Sequence, residues 1–453
     1  MRKYIFSESV MADFFGFISD FIISPVLLCV LLFVGIFMSA RLRFFHLSKA
    51  GVIVHNMLSD KGNMTKRSPL KEVTVALAGT LGVGNLMGVA AAISLGGPGS
   101  IFWMWVGAFI SMILKYAEIV LAVKFRIVKN GSLIGGAMYY IRTPFFRSLF
   151  ALLCILTSFT LGNVMQTRAV SECFEYVFKL PPIVCGIVLS IVVFLVIING
   201  HRGVSGFTSI IIPLACLVYI GISTFVILTN THMIPDIFSE IISSAFTFPA
   251  ASGGIMGNII AMLLPVRYGI SRGLITNEAG CGTAPIAHAA ADTKHPAAQG
   301  FWGIFEVFAD TILLCSLSAF VLLIARPDFS SGSDMEKVLT AFRTYCGSIS
   351  DYVLSISVLF FAVAGIVGWF YYGLVGLDFL CERFTCKSAL KKLYAVAYSF
   401  CVILGSVCSS ELMWDLTDIS IGLMAIINTP CIFSYRKLIT EQTKDFFSLR
   451  AIT

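Results

Sequence analysis

Between residues 79 and 85 an apolar stretch long enough to cross a bilayer is interrupted by Gly79, Gly82 and Gly84, with Thr80 and Asn85 among them and Gly88 just beyond. A membrane helix broken at depth leaves backbone N–H and C=O groups without helical partners, and hydrocarbon satisfies neither. The segment must therefore face protein, a cavity or a ligand. In secondary transporters, breaks of this kind hold substrate and coupling ion.

The rest of the chain is written for the same solvent. Its 453 residues are 57% hydrophobic and only 13% charged, with a mean hydropathy of +0.90, outside the range of soluble globular domains. Apolar runs predict eleven spans, near residues 22–40, 70–94, 98–124, 147–167, 181–199, 204–228, 246–270, 297–324, 351–380, 392–409 and 412–434. Of the 32 Lys and Arg, 24 then fall on one side: in 41–71, 124–147, 382–392 and the tail after 434, with Arg202, Arg267, Arg272 and Lys294. Seven fall on the other side and Lys115 lies within a span. This bias makes the basic side cytoplasmic, the N-terminus external and the C-terminus internal, in a cell membrane. It accounts for the net charge of +7 without a nucleic-acid or acidic partner. The first seventeen residues read as an amphipathic lead-in rather than a removed signal. Thirteen Cys are scattered without CxxC pairs or His spacing, so no disulfide frame, metal site or cofactor is expected beyond a coupling cation.

Ten spans remain once the first is set aside, five before residue 229 and five after 245. Five is odd, so the second set must run inverted to the first. The predicted organisation is an N-terminal helix with a basic segment (1–69), a five-helix repeat (70–228), a second (246–434) and a cytoplasmic tail (435–453). The fold class is thus an all-α polytopic membrane protein with a 5+5 inverted-repeat core and one added helix. Each repeat opens on a glycine-interrupted span: 79–85 in the first, and Ser252, Gly253, Gly254 and Gly257 in the second. The symmetry rests on hydropathy, because no residue-by-residue repeat is detectable.

At these residues the chain resembles the alanine or glycine:cation symporter family of the amino acid–polyamine–organocation superfamily. The resemblance is carried by GTLGVGNLMGVAAAISLGGPGSIFWMW at 79–105, KYAEIVLAVKFR at 115–126, GGAMYYI at 135–141 and GNVMQ at 162–166. It continues in RGLITNEAGCGTAPIAHAAA at 272–291, QGFWGIFEVFADT at 299–311, GWFYYG at 368–373 and DLTDISIGLMAI at 415–426. It implies a ten-helix inverted-repeat core and symport of small neutral amino acids such as alanine or glycine, usually with sodium.

The residues assign roles within that frame. The first half of span 2 ends near Leu81, so the carbonyls of Ala78 and Leu81 suit a cation. The second half begins near Asn85, so the N–H groups of Gly84, Asn85 and Leu86 suit a carboxylate. Thr80 and Asn85 add side-chain oxygens, and the wall at Gly82 and Val83 leaves room only for a small substrate. Gly253 and Gly254 are the counterparts in the second half. By resemblance Gln166 faces the substrate; Trp369 is a candidate lid or a packing aromatic. Lys115 and Glu118, one turn apart, are read as a neutral structural pair. Glu306 and Asp310, at i and i+4 on one face, join Glu118 as candidate proton carriers. Asn277, Glu278 and Gly280 read as a cytoplasmic gate or hinge, with His288 structural.

Four positions depart from the resemblance. Ala364 and Gly365 stand where the family carries a Ser-Thr pair whose hydroxyls would complete a sodium site. Val83 replaces a Thr, and Arg168 replaces an Asn, placing a guanidinium that either snorkels to water or holds a substrate carboxylate. The coupling ion is therefore sodium or a proton, with an exchanger or a carrier of altered selectivity as the alternative. No nucleophile–base set, HExxH or P-loop supports an enzyme, and no soluble output domain supports a sensor.

Overall fold

The computed structural model describes residues 14–19, 21–22, 25–59, 69–129, 131–198, 200–246, 254–382 and 384–450. In chain order the main helices are α1 (Pro25–Arg41), α2 (Pro69–Thr80), α3 (Gly84–Gly96) and α4 (Gly99–Lys124). A two-stranded antiparallel hairpin follows, β1 (Ile127–Lys129) and β2 (Ser132–Ile134). Then come α5 (Pro144–Phe159), α6 (Gln166–Phe178), α7 (Pro182–Ile197), α8 (Gly200–Thr229) and α9 (Ile234–Phe246). The second half holds α10 (Gly254–Asn277), α11 (Pro285–His288), α12 (Pro296–Val307), α13 (Ser316–Ala325) and α14 (Asp334–Cys346). It closes with α15 (Ile349–Leu380), α16 (Lys387–Ser406), α17 (Ser410–Ser434) and α18 (Arg436–Arg450).

Among the described residues, eight helices are long and apolar enough to cross a bilayer. Burial sorts them. The α2–α3 segment is wholly enclosed, while the segment in α8 and that in α16 are mostly open to the surroundings. A polytopic protein buries the helices that carry its site and exposes Leu, Ile and Val to lipid elsewhere.

Two π-helical turns interrupt otherwise straight spans: Thr160–Met165 between α5 and α6, and Phe308–Cys315 between α12 and α13. Such turns frequently mark functional sites. Neither has a glycine or proline punctuation strong enough to read from sequence. They place Gln166 and Asp310 where an unbroken helix would not.

The break predicted for span 7 is displaced. Residues 254–258 are helical within α10, and Gly253 lies outside the described residues. The chain leaves the helix instead after Asn277. Glu278, Gly280 and Gly282 have φ of 52°, 85° and 78°, which no α-helix contains. Asn277, Glu278 and Gly280, expected as a gate or hinge, thus form the second interruption itself.

The charge count shifts accordingly. Gly269 packs on the Ser100 carbonyl and Gly273 meets Met104 at the start of α4, so Arg267 and Arg272 belong to the end of the bundle opposite the basic loops. Arg272 is tolerated there because its Nη1 lies 3.0 Å from Asp418 Oδ1 and its guanidinium sits 4.1 Å over the Trp414 ring. The remaining basic residues keep the bias.

Candidate functional site

The α2–α3 break is short and fully buried. Gly82 N–H turns to the Thr80 carbonyl at 2.9 Å instead of continuing the helix to Ala78. The Ala78 carbonyl therefore loses its i+4 donor, as expected of a cation-facing end. On the other side, Asn85 N–H closes on Gly82 O at 3.4 Å and Leu86 N–H on Val83 O at 3.1 Å. Of the expected free cluster of Gly84, Asn85 and Leu86, only the Gly84 N–H is left. Val83 N–H is taken by Gln166 Oε1 at 3.2 Å.

Gln166 lies against the α2–α3 break. Its amide fills the space that a Cβ on Gly82 or Gly365 would occupy, at 2.9 Å and 3.0 Å from those positions. Trp369 is buried, packs on Gly162, and donates from Nε1 to the Gly79 carbonyl at 3.3 Å. It covers the end of α2. Gly368 approaches Ala78 and Gly79, so α15 lies directly on the broken end. At Ala364 and Gly365 α15 brings no side-chain oxygen.

Sequence reasoning missed Tyr372. Its hydroxyl is buried with no partner among the described residues and lies 2.8 Å from where a Cβ on Gly79 would stand. A buried hydroxyl left open beside a broken backbone is a ready contact for a polar ligand. The available signal was its place one turn after Trp369 in GWFYYG.

Asp310 and Asn85 form a second cluster. Asn85 Nδ2 donates to Asp310 Oδ1 at 2.7 Å and to its carbonyl at 3.0 Å. Thr311 Oγ1 donates to Asp310 Oδ2 at 2.8 Å, and Asn277 Nδ2 donates to Thr311 Oγ1 at 3.1 Å. Asn85 Oδ1 is buried without a partner among the described residues. Both breaks meet the π turn here, in a set of oxygens that includes a carboxylate with no ion-pair partner among the described residues.

A third cluster overturns the expected Lys115–Glu118 pair. Lys115 Nζ lies 3.4 Å from Glu306 Oε1. Glu306 also accepts from Thr80 Oγ1 at 3.1 Å and lies 3.0 Å from His288 Nε2. Gln299 Nε2 stands 2.9 Å from His288 Nδ1. An amide nitrogen only donates, so Nδ1 accepts and Nε2–H points at Glu306. Thr80, expected at the substrate, faces this cluster instead. Glu118 turns to another element: it accepts from Gly282 N–H at 3.0 Å and from Asn428 Nδ2. An i, i+3 spacing permits a pair but does not select it over better donors on facing helices.

Glu306 and Asp310 therefore do not act together, because the π turn between them sends them to different clusters. Arg168 is also committed. Its Nε lies 2.9 Å from Glu172 Oε1 and its Nη1 donates to the Ser406 carbonyl at the end of α16. It is held at the rim rather than aimed at a substrate.

Two broken helices meeting at buried polar clusters inside an apolar bundle define a secondary transporter rather than an enzyme. Over residues 8–451 the chain matches the sodium:alanine symporter family, and it belongs to that family. It is 33% identical to the sodium/alanine symporter AgcS of Methanococcus maripaludis, covering 96% of each chain. It is 36% identical to an uncharacterized transporter of Haemophilus influenzae, covering 95% of each. The fold resembles that of a Na+-coupled sialic acid symporter in its substrate-bound outward-open state, with a TM-score of 0.58 at 15% identity over 92% of this chain and 87% of that one. Amino acid:cation symport is the activity this membership supports.

Proposed function

We propose that the protein carries small neutral amino acids, such as alanine or glycine, across the cell membrane together with a cation. The observation that carries this reading is Gln166 seated on the Val83 N–H beside Trp369 on the Gly79 carbonyl. An amino acid carboxylate arriving at the start of α3 takes over the N–H groups now facing Gln166, where the helix dipole favours an anion. The ammonium group then meets carbonyl and amide oxygens at the end of α2. Gln166, Trp369 and Tyr372 already fill the space beside Gly82, Gly162, Gly365 and Gly79, which leaves little volume for a long side chain.

The coupling cation is assigned to the oxygens around Asp310. Sodium is a hard cation that wants oxygen ligands. Asp310, Asn85, Thr311 and Asn277 supply them, whereas the α15 face at Ala364 and Gly365 does not. A proton is the second reading, favoured by the buried carboxylates of Asp310 and Glu306. The N-terminus is placed outside and the C-terminus in the cytoplasm by the charge bias.

Uptake of labelled alanine and glycine into proteoliposomes, with sodium and proton gradients imposed separately, tests the reading. Accumulation under the sodium gradient alone supports sodium at Asp310, and accumulation under the proton gradient alone supports the second reading. Uptake that needs unlabelled amino acid preloaded in the vesicles and responds to neither gradient makes the protein an exchanger, and no uptake of either amino acid with or without preloading sinks the substrate assignment.

A further inference from the structure

We infer that a cleft at the basic end of the bundle is a binding site for an anionic phospholipid of the cytoplasmic leaflet. The cleft has a volume of about 660 Å³ and lies between α7, the lower half of α15 and the start of α16, with the β1–β2 hairpin at its edge. That volume falls in the range of about 300–1,000 Å³ typical of ligand sites.

Its walls have two chemistries. Phe194 and Ile198 from α7, Leu374 from α15 and Val396 from α16 make an apolar wall. Ile198 and Val396 are exposed, so this wall opens toward the hydrocarbon. The mouth carries Lys391 and Lys392. Asp378 fixes the geometry of the basic side: its Oδ1 lies 2.6 Å from Lys391 Nζ and 3.1 Å from Lys387 Nζ. One carboxylate between two ammonium groups leaves each with further donors. Lys392 has no ion-pair partner among the described residues, and the nearby Lys129 is neutralised by Glu382 at 2.6 Å.

An apolar trough that opens sideways to the bilayer and ends in paired lysines where the spans leave it matches a molecule with an acyl chain and a phosphate. Basic pockets between membrane helices on the cytoplasmic side bind anionic headgroups by this arrangement. A water-soluble ligand would leave the trough unfilled. A lipid without net negative charge would leave Lys392 without a full counter-charge. The occupant touches the helix that carries Trp369, so its presence also bears on transport. This site is independent of the amino acid and cation assigned above.

Native mass spectrometry of the full-length protein in mild detergent, with equal phosphatidylglycerol and phosphatidylcholine, reads the proposal directly. Each lysine at an anionic surface contributes about a fivefold preference, so wild type is expected to retain phosphatidylglycerol roughly thirtyfold over phosphatidylcholine. K391Q/K392Q is expected to fall near parity while keeping its phosphatidylcholine. Leu374→Trp, which fills the trough, should lower retention of both lipids, and millimolar inorganic phosphate should not displace phosphatidylglycerol. Parity in wild type overturns the inference, as does an unchanged preference in K391Q/K392Q. Displacement by phosphate would make this a free-anion site. Loss of alanine uptake in Leu374→Trp with lipid retention intact would make the cleft part of the transport route.

Discussion

Asn85 and Asp310 are joined twice, through the Asp310 side chain at 2.7 Å and through its carbonyl at 3.0 Å. The first residue lies at the start of α3, where we propose the substrate carboxylate binds, and the second lies in a π turn on a span more than two hundred residues away. Ser318 Oγ adds a bond of 2.7 Å to the Asn85 carbonyl. The start of α3 is thereby fixed to the α12–α13 span, and Asn85 Oδ1 is left buried with no donor among the described residues. Substrate and cation are expected to be coupled through this pair, because the same residue borders both.

Asp310→Asn should therefore raise the sodium concentration needed for half-maximal alanine uptake. Loss of a charged contact in a buried site costs about 1.5–3 kcal/mol, or roughly 10- to 150-fold in affinity. A sodium titration of uptake in proteoliposomes measures it. An unchanged midpoint would place the cation elsewhere.

The Lys115–Glu306 ion pair predicts a non-additive effect on stability. Removing one partner leaves a charge buried without compensation, at a cost of about 3–5 kcal/mol. Lys115→Met and Glu306→Gln should each lower the thermal midpoint in detergent, whereas Lys115→Met/Glu306→Gln should fall less than either. Equal additive losses would show that the two side chains do not act on each other.

Gly162 is a steric prediction. A Cβ there collides with Trp369, so Gly162→Ala must displace the indole that caps Gly79. The KM for alanine should rise by roughly tenfold or more, since displacements near 1 Å at a site are felt strongly. Gly221→Ala is the control, because a Cβ there meets nothing within 4 Å. Matching kinetics for the two variants would remove Trp369 from the site.

The first break was legible because glycines and Asn85 interrupt an apolar run, and hydrocarbon makes that pattern rare. The second was misplaced because Gly254 and Gly257 look equally disruptive, yet Gly254 opens a helix and Gly257 continues it. The actual interruption contains Glu278 at positive φ, which composition does not announce. Gln166 was singled out through the resemblance, since a lone amide in an apolar span does not reveal which backbone it will meet. The partners of Lys115, Glu118 and Glu306 were illegible because they depend on facing helices. The π turns were illegible because their cause is tertiary packing rather than a local residue type.

Ala364 and Gly365 give the final prediction, and the structure changes its expected form. A Thr at 365 would place its Cβ 3.0 Å from the Gln166 amide carbon, so the Gln166 amide must shift by about a few tenths of an ångström, which strains its contact with the Val83 N–H. Ala364→Ser with Gly365→Thr thus adds two hydroxyls beside the end of α2 while disturbing the substrate contact. Sodium dependence should become steeper, and the KM for alanine should rise at the same time. Gly365→Ala separates the two effects: it displaces Gln166 without adding an oxygen, so only the substrate KM should move. Initial uptake rates over a matrix of sodium and alanine concentrations distinguish these outcomes. If the double variant leaves both parameters unchanged, α15 does not border the site at this level. If Gly365→Ala alone alters sodium dependence, Gln166 rather than a missing hydroxyl governs the cation.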